Sequence, residues 1–278
     1  MSHNLLLYLF YGLIAGFSEL TPLSASAHQA LFPMLFRFDS TWPMLRFFVH
    51  AGSLAAIILH YRDRINHIRQ EMKLVSSSPR QRKRPPDMDA VLDARFIFMS
   101  VAPALLGAIC SAFLFRRGIH LLTLSVLLIA GAALIYIPDY LPGGDRKTWV
   151  MSPLEGLLMG LCAGCSIIPG VSRVGLMLAF ALLRKCDRTF ILDIVILISG
   201  VMLAALMLVD AFSFLISGLS GLSFLRILGC LLAACASFGG GVGAILMMRF
   251  LAVKTGFSGF AFCGWGLGLV TFVLYLMV

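Results

Sequence analysis

The chain has 278 residues, 60% of them apolar and only 13% charged, with a formal charge of +9 and a mean hydropathy of +0.95. A soluble domain carries about 25% charged residues, so this composition excludes a globular protein with a fully wetted surface. The positive charge does not point to nucleic acid: nine Lys/Arg and five acids are gathered between Arg62 and Arg95, the distribution that keeps a loop on the cytoplasmic side of a membrane.

No cleavable signal is expected, because Met1 to Asn4 has no basic cluster and the apolar run after it leads straight into a motif around Glu19. Residues 4–17 and 23–36 are apolar but separately too short for a bilayer that needs about 20 residues. They read as a hairpin that enters the membrane and turns back at Glu19 to Pro22. Residues 44–61 form a spanning helix whose small residues, Gly52 and Ser53 among them, allow close helix approach. The polar stretch 62–94 reads as a hydrophilic loop, broken by Ser76-Ser-Ser-Pro79 and Pro85-Pro86. Spans at 95–115 and 118–137 follow, separated by Arg116-Arg117, and Pro142 to Lys147 closes the first half.

The second half repeats the plan, with short apolar segments at 153–168 and 171–184 around Pro169-Gly170 and spans at about 190–216, 222–250 and 257–277. Gly239 to Gly243 marks tight packing or a kink, since no Lys-Ser/Thr follows it as a phosphate loop requires. Both interruptions open with Gly-Leu-x-x-Gly, at Gly12 and at Gly156, and each reaches a proline followed by hydroxyls and an ionisable group. The fold class read from this pattern is an all-α polytopic membrane protein with an inverted internal repeat. It forms one integral membrane domain over 1–278, with halves of about 1–138 and 150–278 and a functional site between them.

Glu19, His28 and Arg173 are the ionisable residues embedded in the broken segments. A charge at bilayer depth costs about 2.5–3.5 kcal/mol on insertion scales, so such residues face a cavity or one another. A Glu19–Arg173 pair that merely joins the hairpins is the simplest reading. The functional reading uses the whole set. Arg173 follows Gly170-Val-Ser172, where a helix start offers backbone N–H groups to an anion, and an Arg fork suits phosphate oxygens. Ser24, Ser26 and Ser172 supply hydroxyls that bind phosphate or act as nucleophile, His28 is a general acid or base, and Glu19 holds a divalent cation or orients the base. His50 reads as a hydrogen-bonded packing residue, and His3, His60, His67 and His120 as interfacial. The seven cysteines are odd in number and lie mostly in apolar runs, which speaks against disulfides; the lone Cys162-x-x-Cys165 has no second pair to make a zinc site.

On the Gly12–His28 and Ile168–Gly175 motifs, with further matches at Phe47–Tyr61 and Ala102–Gly107, nearly the whole chain resembles the undecaprenyl-diphosphate phosphatases, the bacitracin-resistance membrane proteins. The resemblance implies six spanning helices plus two pairs of re-entrant helices in the bacterial plasma membrane. It implies an enzyme, a phosphoric anhydride hydrolase that converts a polyprenyl diphosphate to the monophosphate and so recycles the lipid carrier of cell-wall synthesis. It also implies a divalent cation, Mg²⁺ or Ca²⁺, and is compatible with a homodimer. Glu19, Ser24, Ser26, His28 and Arg173 fall on its catalytic positions, Gly170, Ser172 and Arg173 on substrate-binding ones, and Glu19 on a metal position. The chain departs from the pattern at Ala15, Ala25, Ala163, Val174 and Met177, which remove a carboxylate and candidate hydroxyls. The alternative reading is therefore a weakly catalytic or non-catalytic paralogue that binds or transports a lipid phosphate.

Overall fold

The computed structural model describes residues 5–38, 40, 42–78, 82, 84–114, 119–217 and 223–277. His3, Pro79 and the Arg116-Arg117 break lie outside the described residues. Eleven α-helices run through them: α1 (Leu5–Glu19), α2 (Ala25–Phe36), α3 (Pro43–His60), α4 (Arg62–Ser76), α5 (Met88–Leu114), α6 (Leu121–Tyr136), α7 (Pro153–Gly164), α8 (Arg173–Leu183), α9 (Arg188–Ser217), α10 (Phe224–Lys254) and α11 (Gly259–Met277). Six of these, α3, α5, α6, α9, α10 and α11, are long and apolar enough to cross a membrane, whereas α1, α7 and α8 are too short. The chain is thus a multi-pass all-α membrane protein. The pairs α1/α2 and α7/α8 are hairpins whose arms of 15, 12, 12 and 11 residues reach only partway across. Each half then contributes three crossings, an odd number, which inverts the second half relative to the first.

The packing exchanges the halves: α1 lies on α10 while α7 lies on α5, α3 touches both α9 and α10, and α6 lies on α11. Glycine makes the two hairpin contacts close. A Cβ on Gly12 or Gly16 would stand 2.2 or 2.1 Å from the carbonyl oxygen of Ala233 or Ser237 on α10; on Gly160 or Gly164 it would stand 2.1 or 2.4 Å from that of Ser100 or Ala104 on α5. Backbones approach this closely only where side chains are absent. Gly12 and Gly16 therefore correspond to Gly160 and Gly164. The repeated Gly-Leu-x-x-Gly string instead sets Gly12 beside Gly156, which has only ordinary contacts with Phe96 and Met99. In the Gly239–Gly243 stretch, Gly240 and Gly241 press on Leu13 and Ala56 within an unbroken α10, so the run serves packing and not a kink.

The stretch read as a hydrophilic loop contains a helix. In α4, Ile65, Ile68 and Met72 recur at helical spacing and line an apolar cavity with α3, α5 and α9, while Asp63 at the start and Lys73 at the end suit the helix dipole. Arg64 anchors it, donating to Asp193 of α9 at 2.7 Å and to Asp93 of α5 at 2.9 Å. On the loop before α7, a capping box of Ser152 and Glu155 starts the helix, and Glu155 also receives Arg184 at 2.6 Å and Arg146 at 3.2 Å. Burial alone would raise the Glu155 carboxyl, but the Ser152 N–H and the two guanidinium groups outweigh it and hold it at about 2.

Adding a side chain at the close contacts should be costly. Gly16→Val and Gly164→Val are expected to lower stability by at least about 1–3 kcal/mol, whereas Gly243→Ala, which has open space, should be neutral or slightly stabilising; thermal unfolding in detergent checks all three. Because the folded-state Glu155 lies below its unfolded value, its stabilisation is complete above about 4.5 and is lost as pH falls towards 2. Glu155→Gln should therefore lower thermal stability at pH 6 and flatten its decline on acidification.

Candidate functional site

Each hairpin turn is fixed by hydroxyls that take over backbone groups a helix end leaves free. In the first, Ser18 and Thr21 donate to the carbonyls of Ala15 and Phe17 at 3.1 and 3.0 Å, and Ser24 caps α2 by accepting from the Ala27 N–H at 3.2 Å. In the second, Ser166 donates to Ala163 at 2.7 Å, and Ser172 caps α8 by accepting from Gly175 at 3.1 Å. Between them Ile168-Pro169-Gly170-Val171 closes a turn with Val171 N–H on the Ile168 carbonyl at 3.1 Å. Gly170 sits at φ 97°, a left-handed conformation that favours glycine after proline.

The turns then cross-link. Ser24 Oγ accepts from the Gly170 N–H at 3.2 Å, and Ser172 Oγ donates to the Thr21 carbonyl at 3.3 Å. Ser26 Oγ lies 3.4 Å from the carbonyls of Ser166 and Ile168 and 3.2 Å from Ser24 Oγ. Alongside this crossing runs a buried chain of charges. Arg173 Nη2 meets Glu19 Oε2 at 2.5 Å; Glu19 Oε1 faces His50 Nε2 at 3.4 Å; His50 Nδ1 meets Asp210 Oδ2 at 2.9 Å; Asp210 Oδ1 meets Arg46 Nη2 at 2.7 Å. Gln29 donates to Glu19 Oε1 at 3.4 Å. His50 thus sits between two carboxylates, one at each ring nitrogen, and each carboxylate also meets one guanidinium group at an end of the series.

These five residues line one cavity of about 640 Å³, with Ser18, Ser26, Gln29 and Ser166 as polar neighbours. Its remaining wall is apolar: Leu105, Ala108 and Ile109 from α5, and Met202, Ala205, Leu206 and Val209 from α9. Ile109 and Val209 are 68% and 60% exposed, so that wall continues onto the lipid-facing surface. Arg173 is only 8% exposed, yet its Nε and Nη1 have no hydrogen-bond partner among the described residues, and neither has Arg46 Nε.

Of the residues singled out in the sequence, the structure brings Glu19, Arg173 and Ser26 into this cavity. Ser24, Ser172, Gly170 and His28 lie elsewhere, around a separate space of only about 20 Å³. Ser24, Ser172 and the Gly170 N–H are engaged in the caps and cross-links, so Gly170 has no free N–H for a substrate. His28 is held 2.8 Å from the backbone carbonyl of Ser24, not on a serine hydroxyl, which leaves it without the geometry of a base for Ser24 or Ser26. His50, Asp210, Arg46 and Gln29 also line the cavity, although none of them stands out as a site residue in the sequence, where His50 reads as a packing residue. The available signal was an ionisable group inside an apolar helix, as Asp210 is in the long α9.

A divalent cation fits this residue set poorly. Both Glu19 oxygens face cationic or amide donors, Ala15 supplies no second carboxylate, and no group of three His, Cys, Asp or Glu with metal-binding geometry occurs among the described residues. Several departures from the family pattern are apolar by burial: Ala163, Val174 and Met177 belong to the main core and Ala15 to a second cluster with Tyr11 and Phe32, while Ala25 lines the cavity beside Ser26.

A family model described as Bacitracin resistance protein BacA matches residues 8–270. Proteins named undecaprenyl-diphosphatase are similar along the chain. The one from Halothermothrix orenii is 24% identical, covering 96% of both chains. Undecaprenyl-diphosphatase 3 from Bacillus cereus is 24% identical over 95% of this chain and 94% of its own. A Nocardioides protein is 29% identical over 65% of each. The chain belongs to the BacA family.

Ser24→Ala removes a helix cap and strands the Gly170 N–H, so it should destabilise by about 2 kcal/mol. Ser26→Ala, which caps no helix, should cost less than about 0.5–1 kcal/mol. Thermal unfolding of the two variants under one condition checks the ranking.

Proposed function

With membership of the BacA family as the premise, we propose that the chain is an undecaprenyl-diphosphatase-type hydrolase. It removes the terminal phosphate of a polyprenyl diphosphate and returns the monophosphate carrier for cell-wall synthesis. The observation that carries this reading is the buried Arg173, with two N–H donors unpartnered among the described residues, in the wall of a cavity with a charged floor and an apolar side open to lipid. A guanidinium fork suits phosphate oxygens. The apolar wall between α5 and α9 suits a prenyl chain.

In this reading the terminal phosphoryl group binds Arg173 and loosens its hold on Glu19. Water attacks phosphorus as Glu19 takes its proton, or Ser26 attacks with Glu19 as its base and water then hydrolyses the phosphoserine. The bond to the bridging oxygen breaks, and the departing lipid monophosphate keeps the electron pair. The membrane is proposed to be the bacterial plasma membrane. The basic α4 region marks its cytoplasmic side; Arg46 and His50 lie in the half of α3 away from α4, so the cavity belongs to the opposite leaflet.

The second reading, a lipid-phosphate binding or transport protein without turnover, is favoured by Ala25 lining the cavity where a second hydroxyl would stand, and by Ser26 Oγ facing backbone carbonyls and Ser24 Oγ, with no histidine hydrogen-bonded to it among the described residues. Phosphate release from undecaprenyl diphosphate by the purified protein with Mg²⁺ separates the two. Turnover should fall about 10²–10³-fold in Arg173→Ala. Equal release by the wild type and Arg173→Ala would end the hydrolase reading, and retained binding without release would establish the second.

A further inference from the structure

We propose that Arg46 forms a second anion subsite, so that the cavity holds a lipid-linked diphosphate by both phosphoryl groups, one at Arg173 and the other at Arg46. The inference rests on the reading of this cavity as a diphosphate site. It goes beyond it by assigning the discrimination between diphosphate and monophosphate to a residue outside the two sequence motifs.

Arg46 lies on α3, one turn before His50, and lines the same cavity as Arg173. Asp210 holds one end of its guanidinium through Nη2 at 2.7 Å, which fixes the orientation of the planar fork. Its Nε is buried and unpartnered among the described residues, although the side chain as a whole is 37% exposed. Arg46 therefore repeats the condition of Arg173: a carboxylate fixes one nitrogen of the fork while another donor is left unused beside the cavity.

The groups between the two arginines connect them. Glu19, His50 and Asp210 form an unbroken series of contacts from one guanidinium to the other, which sets their separation and limits independent movement. The charged groups lining the cavity are Glu19, Arg46, His50, Arg173 and Asp210. A monophosphate satisfies one fork. A diphosphate brings a second phosphoryl group and further negative charge, and satisfies both. Hydrolysis would then empty one subsite, so that the lipid monophosphate is held less tightly than the substrate and leaves.

The test uses the purified full chain in detergent, with farnesyl diphosphate and farnesyl monophosphate as probes and dissociation constants as the readout. Arg46→Gln is expected to weaken diphosphate binding at least tenfold and monophosphate binding less than twofold, and Arg46→Lys to recover part of the loss. Removing Arg46 also leaves Asp210 with one partner fewer, so the double variant Arg46→Gln/Asp210→Asn separates binding from support. If Arg46 contacts the ligand, the double variant keeps the loss; if it only supports Asp210, diphosphate affinity returns and the proposal is overturned. Equal weakening of both probes by Arg46→Gln, or no weakening of either, also overturns it. Arg173→Gln is the control for the underlying reading. Loss there with Arg46→Gln unchanged removes only the second subsite, whereas no loss in Arg173→Gln removes the anion site itself.

Discussion

The buried contact between Glu19 and Arg173 is the interaction on which the rest of the site depends. An isolated charge in a lipid-facing segment is expensive, and irregular backbone at that depth needs internal partners. Two hairpins that each end in a turn and carry one charge of opposite sign can answer both demands only by meeting. The gain is not simply stability, since a desolvated ion pair is often no better than an apolar contact. What the pair does is fix the hairpins turn to turn, because separating them would strand a carboxylate and a guanidinium. His50, Asp210 and Arg46 extend the same constraint to α3 and α9.

The repeat makes this meeting possible. One register of 148 residues relates Gly12 to Gly160, Ala15 to Ala163, Gly16 to Gly164, Ser18 to Ser166 and Ser24 to Ser172. In each half the glycines press the first arm onto a helix of the other half, the first serine secures an alanine carbonyl at the helix end, and the second caps the return arm. The scaffold is therefore nearly symmetric while its chemistry is not. At the register of Arg173 the first half has Ala25, and at that of Glu19 the second half has Ile167. One hairpin supplies the carboxylate and the other the guanidinium, so a single asymmetric site forms between two repeated hairpins.

The same division clarifies the departures from the family pattern. Ala163, Val174 and Met177 are absorbed into the core, where polar groups would have required partners of their own. Polar groups then concentrate on another wall of the cavity, through His50, Asp210 and Arg46. The two unpartnered donors of Arg173 do not depend on the lost positions, so the anion site proposed above does not require them. The serines are differently placed: Ser24 and Ser172 hold the frame, and only Ser26 of the proposed hydroxyls reaches the cavity.

The sequence by itself determined the membrane class, the spans, the two broken segments and the residues Glu19 and Arg173. Those follow from local rules, since apolar length, prolines and intramembrane charges act within a single segment. The helix in 62–76 was partly hidden because its polar face dominates the composition while only Ile65, Ile68 and Met72 mark the buried one. Tertiary structure decided the register of the repeat, because identical Gly-Leu-x-x-Gly strings do not reveal which glycine meets a carbonyl. It also decided that His28 points to its own helix turn while His50 faces Glu19. Two histidines in apolar sequence look alike, and the partners that distinguish them lie across the fold: Asp210 stands 160 residues from His50 along the chain, and only the packing of α3 against α9 brings the two together.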